Sequence, residues 1–314
     1  MSGTTTLRLS VLDQSPVGTG QTPADALAAT AALAQEADEL GYHRFWVAEH
    51  HDTEGFAGTA PEVLVGMLLE RTRNLRIGSG GVLLPRYPAR KVAETFRVLS
   101  ALHPGRVDLG IGRAGGPARD FPDRVRELLR HLAPQPGDPA STPPPASPPA
   151  PPVWLLGAGT QSARLAAELG TSFAFAHFFS PDHGPIAFAR FAEGPTGRAS
   201  EHRALAVRVI AADTTRDADA LADAYLLWRS RKDLGHDEPH PTTTHAARHR
   251  WTTDESARAA ANRAALMHGT ADDVGPRLLE LARVHGVDEL IVNTLTHDPE
   301  ARAHSYRLLA KALL

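Results

Sequence analysis

The chain has no cysteine, and this alone excludes disulfides, iron–sulfur clusters, thiolate nucleophiles and cysteine-based zinc sites. Redox or covalent chemistry therefore has to be carried by another group. No stretch approaches the roughly 18 consecutive apolar residues of a membrane span. The opening MSGTTTLRLSVLDQSP also lacks the basic segment and long apolar run of a leader. An excess of one charge is missing too. Lysine and arginine are scattered and the formal net charge is -3, so nothing marks a surface for nucleic acid or an anionic membrane. These absences point to a soluble cytoplasmic protein with a small-molecule partner. Its 314 residues, 42% hydrophobic and 22% charged, suffice for one large barrel or two smaller domains.

What is present is a rhythm. Short apolar runs at residues 7–12, 44–48, 75–84, 107–111, 153–156, 173–178, 204–211 and 289–293 read as strands. Between them lie segments of helical spacing: from the Thr22 cap to residue 40, from Pro61, then 89–102, 122–132, 162–169, 217–227, 256–267, from the Thr270 cap to 285, and 299–313. Eight strands alternating with helices predict an α/β fold, a (β/α)8 TIM barrel. A doubly wound open sheet is the other architecture, weakened because no strand carries the GxGxxG dinucleotide fingerprint. Residues 134–152 are mostly Pro, Ala and Ser and cannot form a packed core. The rhythm resumes unchanged after them, so they read as a surface insertion in a single domain spanning residues 1–314. Residues 229–255 are polar, carry His236, His240, His245 and His249 without apolar periodicity, and read as a long loop or active-site lid.

In a barrel the active site forms at the carboxyl ends of the strands. The residues there are Asp13 and Gln14; Glu49, His50 and His51; Gly80, Gly81 and Pro85; Gly112 and Arg113; Gly157, Ala158 and Gly159; Ala176 and His177; and Asn293. Small residues at 157–159, followed by a helix start bearing Ser162, make an anion or phosphate cradle, and Arg113 is a bidentate donor for the same group. The plainer alternative is a tight turn beside a surface arginine. Gly80-Gly81 inside an apolar strand leaves room for something flat, or marks a bulge. His50 can move a proton near neutral pH and His177 can flank a ring, or either can be structural.

Taken in order, these stretches resemble a known family. GYHRFWVAEHH at 41–51, APEVLVG at 60–66, IGSGGVLLP at 77–85, LHPGRVDLGIGRAGG at 102–116, VWLLGAGTQSARLAAELG at 153–170, FAFAHFFSP at 173–181 and DELIVNT at 288–294 are similar to the bacterial luciferase-like, flavin-dependent monooxygenases of the antibiotic-biosynthesis type. The resemblance implies a TIM barrel and a homodimer packed through the second and third helices, at 61–73 and 89–102. It implies reduced FMN, delivered by a separate NAD(P)H:flavin reductase, which reacts with O2 to a C4a-hydroperoxide and oxygenates a small organic substrate, a polyketide, another secondary metabolite or an aldehyde. F420-dependent hydride transfer in a sister branch, and a non-catalytic flavin-binding paralogue, are the alternatives. Residue by residue, Gly80-Gly81 matches a site of a cis peptide against the flavin ring. Arg113 matches the phosphate arginine, and Gly157, Ala158, Gly159 and Ser162 match the phosphate turn. His50 matches the active-site histidine, and His177 falls where a residue flanks the ring. The chain departs from the pattern at Arg86 and Tyr87, where relatives often carry Asn-His, in a short loop after Arg113, and in the proline tract.

Overall fold

The computed structural model describes residues 7–113, 119–132, 150–194 and 202–314. It contains strands β1 (Arg8–Asp13), β2 (Arg44–Val47), β3 (Arg76–Leu83), β4 (Val107–Gly112), β5 (Val153–Gly157), β6 (Ser172–Ala176), β7 (Arg203–Ala211), β8 (Leu266–Gly269) and β9 (Glu289–Asn293). The helices are α1 (Pro23–Glu39), α2 (Pro61–Arg71), α3 (Ala89–Leu102), α4 (Phe121–Leu132), α5 (Thr160–Leu169), α6 (Gly184–Ala192), α7 (Thr215–Asp233), α8 (Thr243–Arg248), α9 (Thr253–Arg263), α10 (Ala271–His285) and α11 (Pro299–Leu313). Strands β1 to β7 pair in sequence, all parallel, and β9 closes the ring between β7 and β1. The result is the (β/α)8 barrel that the alternation predicts. Side-chain hydroxyls and carboxylates start several of its helices: Thr22 with Asp25, and Thr270 with Asp273, form reciprocal capping boxes that satisfy otherwise orphaned backbone N–H groups.

Strand alternation sorts the apolar residues into two layers. In β2, Phe45 and Val47 face outward into the core shared with the helices, beside Val65, Leu68 and Leu309. Trp46 faces inward with Leu12, Trp154, Ala174, Ala206 and Ile291. The two tryptophans meet edge to face at 5.2 Å and fill the barrel's centre. Strands β3 and β4 approach closely because glycines line their seam. A Cβ on Gly110 would lie 2.1 Å from the Ser79 carbonyl oxygen, and one on Gly78 would lie 2.5 Å from that of Asp108.

Near the amino ends of the strands the barrel is closed by charge. Arg44 of β2, 3% exposed, donates from Nη1 to Asp108 of β4 at 2.6 Å and from Nε and Nη2 to Glu289 of β9 at 2.5 and 3.1 Å. Arg76 of β3 donates to the other Asp108 oxygen at 2.5 Å, Trp46 Nε1 donates to Asp108 at 3.2 Å, and Ser10 of β1 donates to Glu289 at 2.6 Å. Every carboxylate oxygen in this layer has a donor, which is the condition for buried charges to offset their desolvation.

The structure departs from the sequence reading in four places. The helix expected over 256–267 stops at Arg263, and Leu266–Gly269 is strand β8, which pairs with Arg208–Ala211 of β7. Four residues with two apolar side chains carry no period by which to tell a strand from a helix end. The stretch 229–255 is not one loop. Helix α7 runs on to Asp233, α8 occupies Thr243–Arg248 and α9 begins at Thr253. Polar bonds order it, Arg231 reaching Glu238 at 3.0 Å and Glu255 at 2.9 Å, and His249 meeting Glu255 at 2.9 Å. Helix α6 follows β6 with no counterpart in the reading, and β6 itself ends at Ala176 rather than 178. The proline tract at 134–149 lies outside the described residues.

The charged layer makes a direct prediction. Asp108→Ala strands part of the buried Arg44 guanidinium and should lower the unfolding free energy by about 3–5 kcal/mol, read by denaturant unfolding. A loss within the range of an exposed pair, below about 1 kcal/mol, would show that this layer is not needed for closure.

Candidate functional site

At the carboxyl end of the barrel opens a cavity of about 270 Å³. Its floor is the inward layer, Leu12, Trp46, Ala174, Ala206 and Ile291, and its wall continues through Ala48, Leu156 and Ala176. Small side chains at Ala48, just after β2, and on β6 and β7 leave the space, and large ones at Trp46 and Trp154 stop it from becoming a pore. Gly80 and Gly81 lie in the wall on the β3 side, and the peptide bond between them is cis, as the resemblance implies. Their bareness is enforced by the protein itself. A Cβ on Gly80 would lie 2.6 Å from Leu12 Cδ1, and one on Gly81 would lie 2.7 Å from the Gly110 backbone.

His50, directly after β2, lines the same cavity. Its ring stacks on Phe56 at 4.3 Å, its Nε2 lies 3.2 Å from the Gln14 amide, and its buried Nδ1 has no partner among the described residues. Burial, reinforced by the positive charges of Lys232, His51 and Arg208, pulls its pKa down to about 4. At neutral pH the ring is uncharged. Glu49 beside it serves the frame. Its carboxylate takes the His51 ring at 2.6 Å, the Tyr87 hydroxyl at 2.7 Å and the Leu83 backbone N–H at 2.8 Å, tying the end of β2 to the turn after β3. That carboxylate, with burial, raises Tyr87 to about 12. The departure at Arg86 and Tyr87 thus supplies a hydrogen-bond donor to Glu49.

Across the mouth, Arg113 follows β4, exposed and lining the cavity, and makes no ion pair among the described residues. Gly157 and Ala158 line it from the end of β5. A Cβ on Gly157 would sit 2.4 Å from Ser162, so only glycine lets the chain fold back on the first turn of α5. Gly159 is the N-cap of α5 and supplies no side-chain cap, leaving the first-turn N–H groups without a side-chain acceptor. Gly159 and Ser162 stand in that turn rather than in the cavity wall itself.

His177 is placed differently from its expectation. The strand ends at Ala176, and residues His177–Phe179 form a single turn of 3₁₀ helix that rotates the side chains out of strand register. His177 goes behind the wall, 8% exposed, with its ring edge-on to His285 at 5.8 Å, and burial lowers its pKa to about 4. Phe178 and Phe179 take the cavity face instead. Sequence reasoning missed both, having run the strand through Phe178 with no turn at His177. It also left Gln14 as one strand end among several, with no signal that its amide meets His50.

The family model for luciferase-like monooxygenases matches residues 7–289. YwcH of Bacillus subtilis (strain 168) is 40% identical, with 97% of this chain and 98% of that protein covered. The N-acetyl-S-alkylcysteine monooxygenase of the same strain is 37% identical, with 98% of each covered. Among solved structures, apo-MsnO8 superposes with a TM-score of 0.86 at 35% identity, covering 98% of this chain and 99% of that one. At lower identity, 20% and 17%, the fold is shared at a TM-score of 0.70 by a diketocamphane monooxygenase in complex with FMN and by an F420-dependent secondary alcohol dehydrogenase holding an F420–acetone adduct. With the barrel closed, the cavity at its carboxyl end and the motifs spread over nearly the whole chain, this protein belongs to the luciferase-like monooxygenase family of oxidoreductases.

Proposed function

We propose that the cavity binds reduced FMN, supplied by a separate flavin reductase, and that with O2 the protein oxygenates a small organic substrate. One observation carries the reading. A largely apolar space, bare at Gly80, Gly81 and several alanines, is joined in a single cavity to Arg113, which makes no ion pair among the described residues, and to the turn before α5. That combination suits a planar ring with a phosphate at the far end of its side chain. Two atoms of the lining residues, His50 Nδ1 and Gln14 Oε1, have no hydrogen-bond partner among the described residues. When bound, reduced FMN supplies the activated oxygen, and the protein supplies place and protons.

Arg113 and the first-turn N–H groups of α5, with the Ser162 hydroxyl, hold the phosphate. Gly80 and Gly81 let the ring lie against the backbone of β3. Phe178 and Phe179 shield the reacting face from water. His50, uncharged at neutral pH, accepts a proton or hydrogen bond at Nδ1 and does not act there as a cationic acid. The substrate class is best drawn from the relative that acts on N-acetyl-S-alkylcysteine and from the secondary-metabolite enzymes that the motifs resemble: a small organic molecule with an oxidisable carbon or sulfur.

The decisive experiment loads the protein anaerobically with reduced FMN and admits 18O2 in the presence of candidate substrates. One labelled oxygen in the product is expected. Uptake of reduced F420 with hydride transfer, and no labelled product from FMN, would replace this reading with a dehydrogenase. Arg113→Gln should weaken FMN binding roughly tenfold to a hundredfold, while riboflavin, which lacks the phosphate, should bind both proteins alike.

The buried histidines set a pH dependence. Unfolded, His50 and His240 take up protons near 6.5; folded, they resist until about 4 and about 3. Protons therefore favour unfolding between those values, and stability should fall as pH drops from 6.5 toward 4. His50→Gln should flatten that slope by up to about 1.4 kcal/mol per pH unit, measured by denaturant unfolding across the window.

A further inference from the structure

Three arginines are buried among the described residues: Arg44 at 3% exposure, Arg302 at 1% and Arg208 at 5%. Two have carboxylates, Arg44 with Asp108 and Glu289, and Arg302 with Asp13 at 3.3 Å. Arg208 has none among the described residues. Its Nε donates to the Asn293 side-chain oxygen at 3.0 Å and its Nη1 to the Tyr225 hydroxyl, both neutral, and its Nη2 makes no hydrogen bond among the described residues. A buried guanidinium held only by neutral groups keeps a full charge unmatched, an arrangement that proteins elsewhere avoid or use for a ligand.

The cation is not remote from the chemistry. Arg208 lies in β7, opposite Asn293 at the end of β9. The face of Phe178 covers its guanidinium, 4.5 Å from the ring centroid, and Phe178 lines the cavity. Arg208 therefore stands one aromatic ring behind the cavity wall. Around the barrel it is far from the phosphate end: β4, which carries Arg113, and β7 are separated by β5 and β6 on one side and by β3, β2, β1 and β9 on the other. A single phosphate held at Arg113 does not also reach Arg208.

We propose that Arg208 is a specificity-determining residue that binds a carboxylate carried by the substrate, which enters beside Phe178. The inference rests on the reading of this cavity as the oxygenation site and adds the substrate's chemical class. Charge and geometry choose the carboxylate. One unmatched positive charge suits one negative charge, and the free N–H groups of Nη1 and Nη2 form the fork that a planar carboxylate accepts. The apolar wall of Phe178, Phe179 and Ala206 suits the remainder of an aryl or alkyl acid.

The test compares an acid with its neutral isostere. Phenylbutyrate and phenylbutyramide are titrated calorimetrically into the wild-type protein with and without bound FMN. The acid is expected to bind about tenfold to a hundredfold more tightly than the amide. Arg208→Met should abolish that preference without weakening the amide, and Arg208→Lys should restore part of it. Equal or absent binding of acid and amide by the wild type, or a preference that survives in Arg208→Met, overturns the proposal. The wild-type comparison needs no variant to fold. FMN binding is followed by flavin fluorescence in the same samples. A wild type that takes no FMN overturns the proposed function, and the acid-over-amide comparison in the flavin-free protein still decides the carboxylate site.

Discussion

The structure depends on a layer of buried charge at the amino ends of its strands. A parallel barrel closes only if its last strand finds its first, and here Arg44 makes that junction from the inside, grasping Glu289 of the closing strand with one edge and Asp108 of β4 with the other. Such pairs contribute little net stability, because the desolvation of each ion nearly cancels the attraction. Their effect is on register. Strands that slid by one residue would swing Arg44 out of the barrel and take from Asp108 and Glu289 the guanidinium they share. The Trp46–Trp154 pair rests between this layer and the cavity, so closure at one end and the open slot at the other are parts of a single stacked interior.

With closure settled there, the other end is free to carry atoms that the protein leaves unsatisfied. Among the described residues His50 Nδ1 and Gln14 Oε1 are buried without partners, Arg113 has no counter-charge, and the turn before α5 has no side-chain cap. Each is a small cost to the ligand-free fold, and they gather around one cavity. Other buried polar atoms without partners, such as Trp154 Nε1, Thr171 Oγ1 and His285 Nε2, lie away from the cavity lining. The aromatic run from His50 through Phe56 to Trp228 and His240 continues outward from that site and keeps His50 dry, which is why its pKa falls.

Much of this was legible in the sequence, and the reasons differ by element. Strands β1 to β5 could be read because apolar runs between strong helix signals have one interpretation. Gly80, Gly81, Arg113, Gly157 and Ala158 could be placed because a barrel fixes where strand ends go, and all five line the cavity. His177 could not, because a 3₁₀ turn begins at His177, two residues earlier than hydrophobicity suggests, and takes its side chain out of strand register. Arg208 was invisible for another reason. A lone arginine in an apolar strand looks like any inward charge until its neighbours are known, and its meaning lies in the carboxylate it lacks. The segment 229–255 was misjudged as irregular because Arg231, Glu238 and Glu255 order it with polar bonds, which leave no periodic trace.

The glycine seam between β3 and β4 divides the cavity into two halves with different freedom to vary. On that side, side chains at 78, 80, 81 or 110 would strike neighbouring strands or the barrel interior before they reached any ligand. That wall is fixed by the barrel's own geometry. On the β6–β7 side the lining is Ala174, Ala176, Phe178 and Ala206, positions that already carry side chains at the cavity wall. New substrate preferences in this scaffold, whether arising by descent or by design, therefore have one side of the barrel on which to appear.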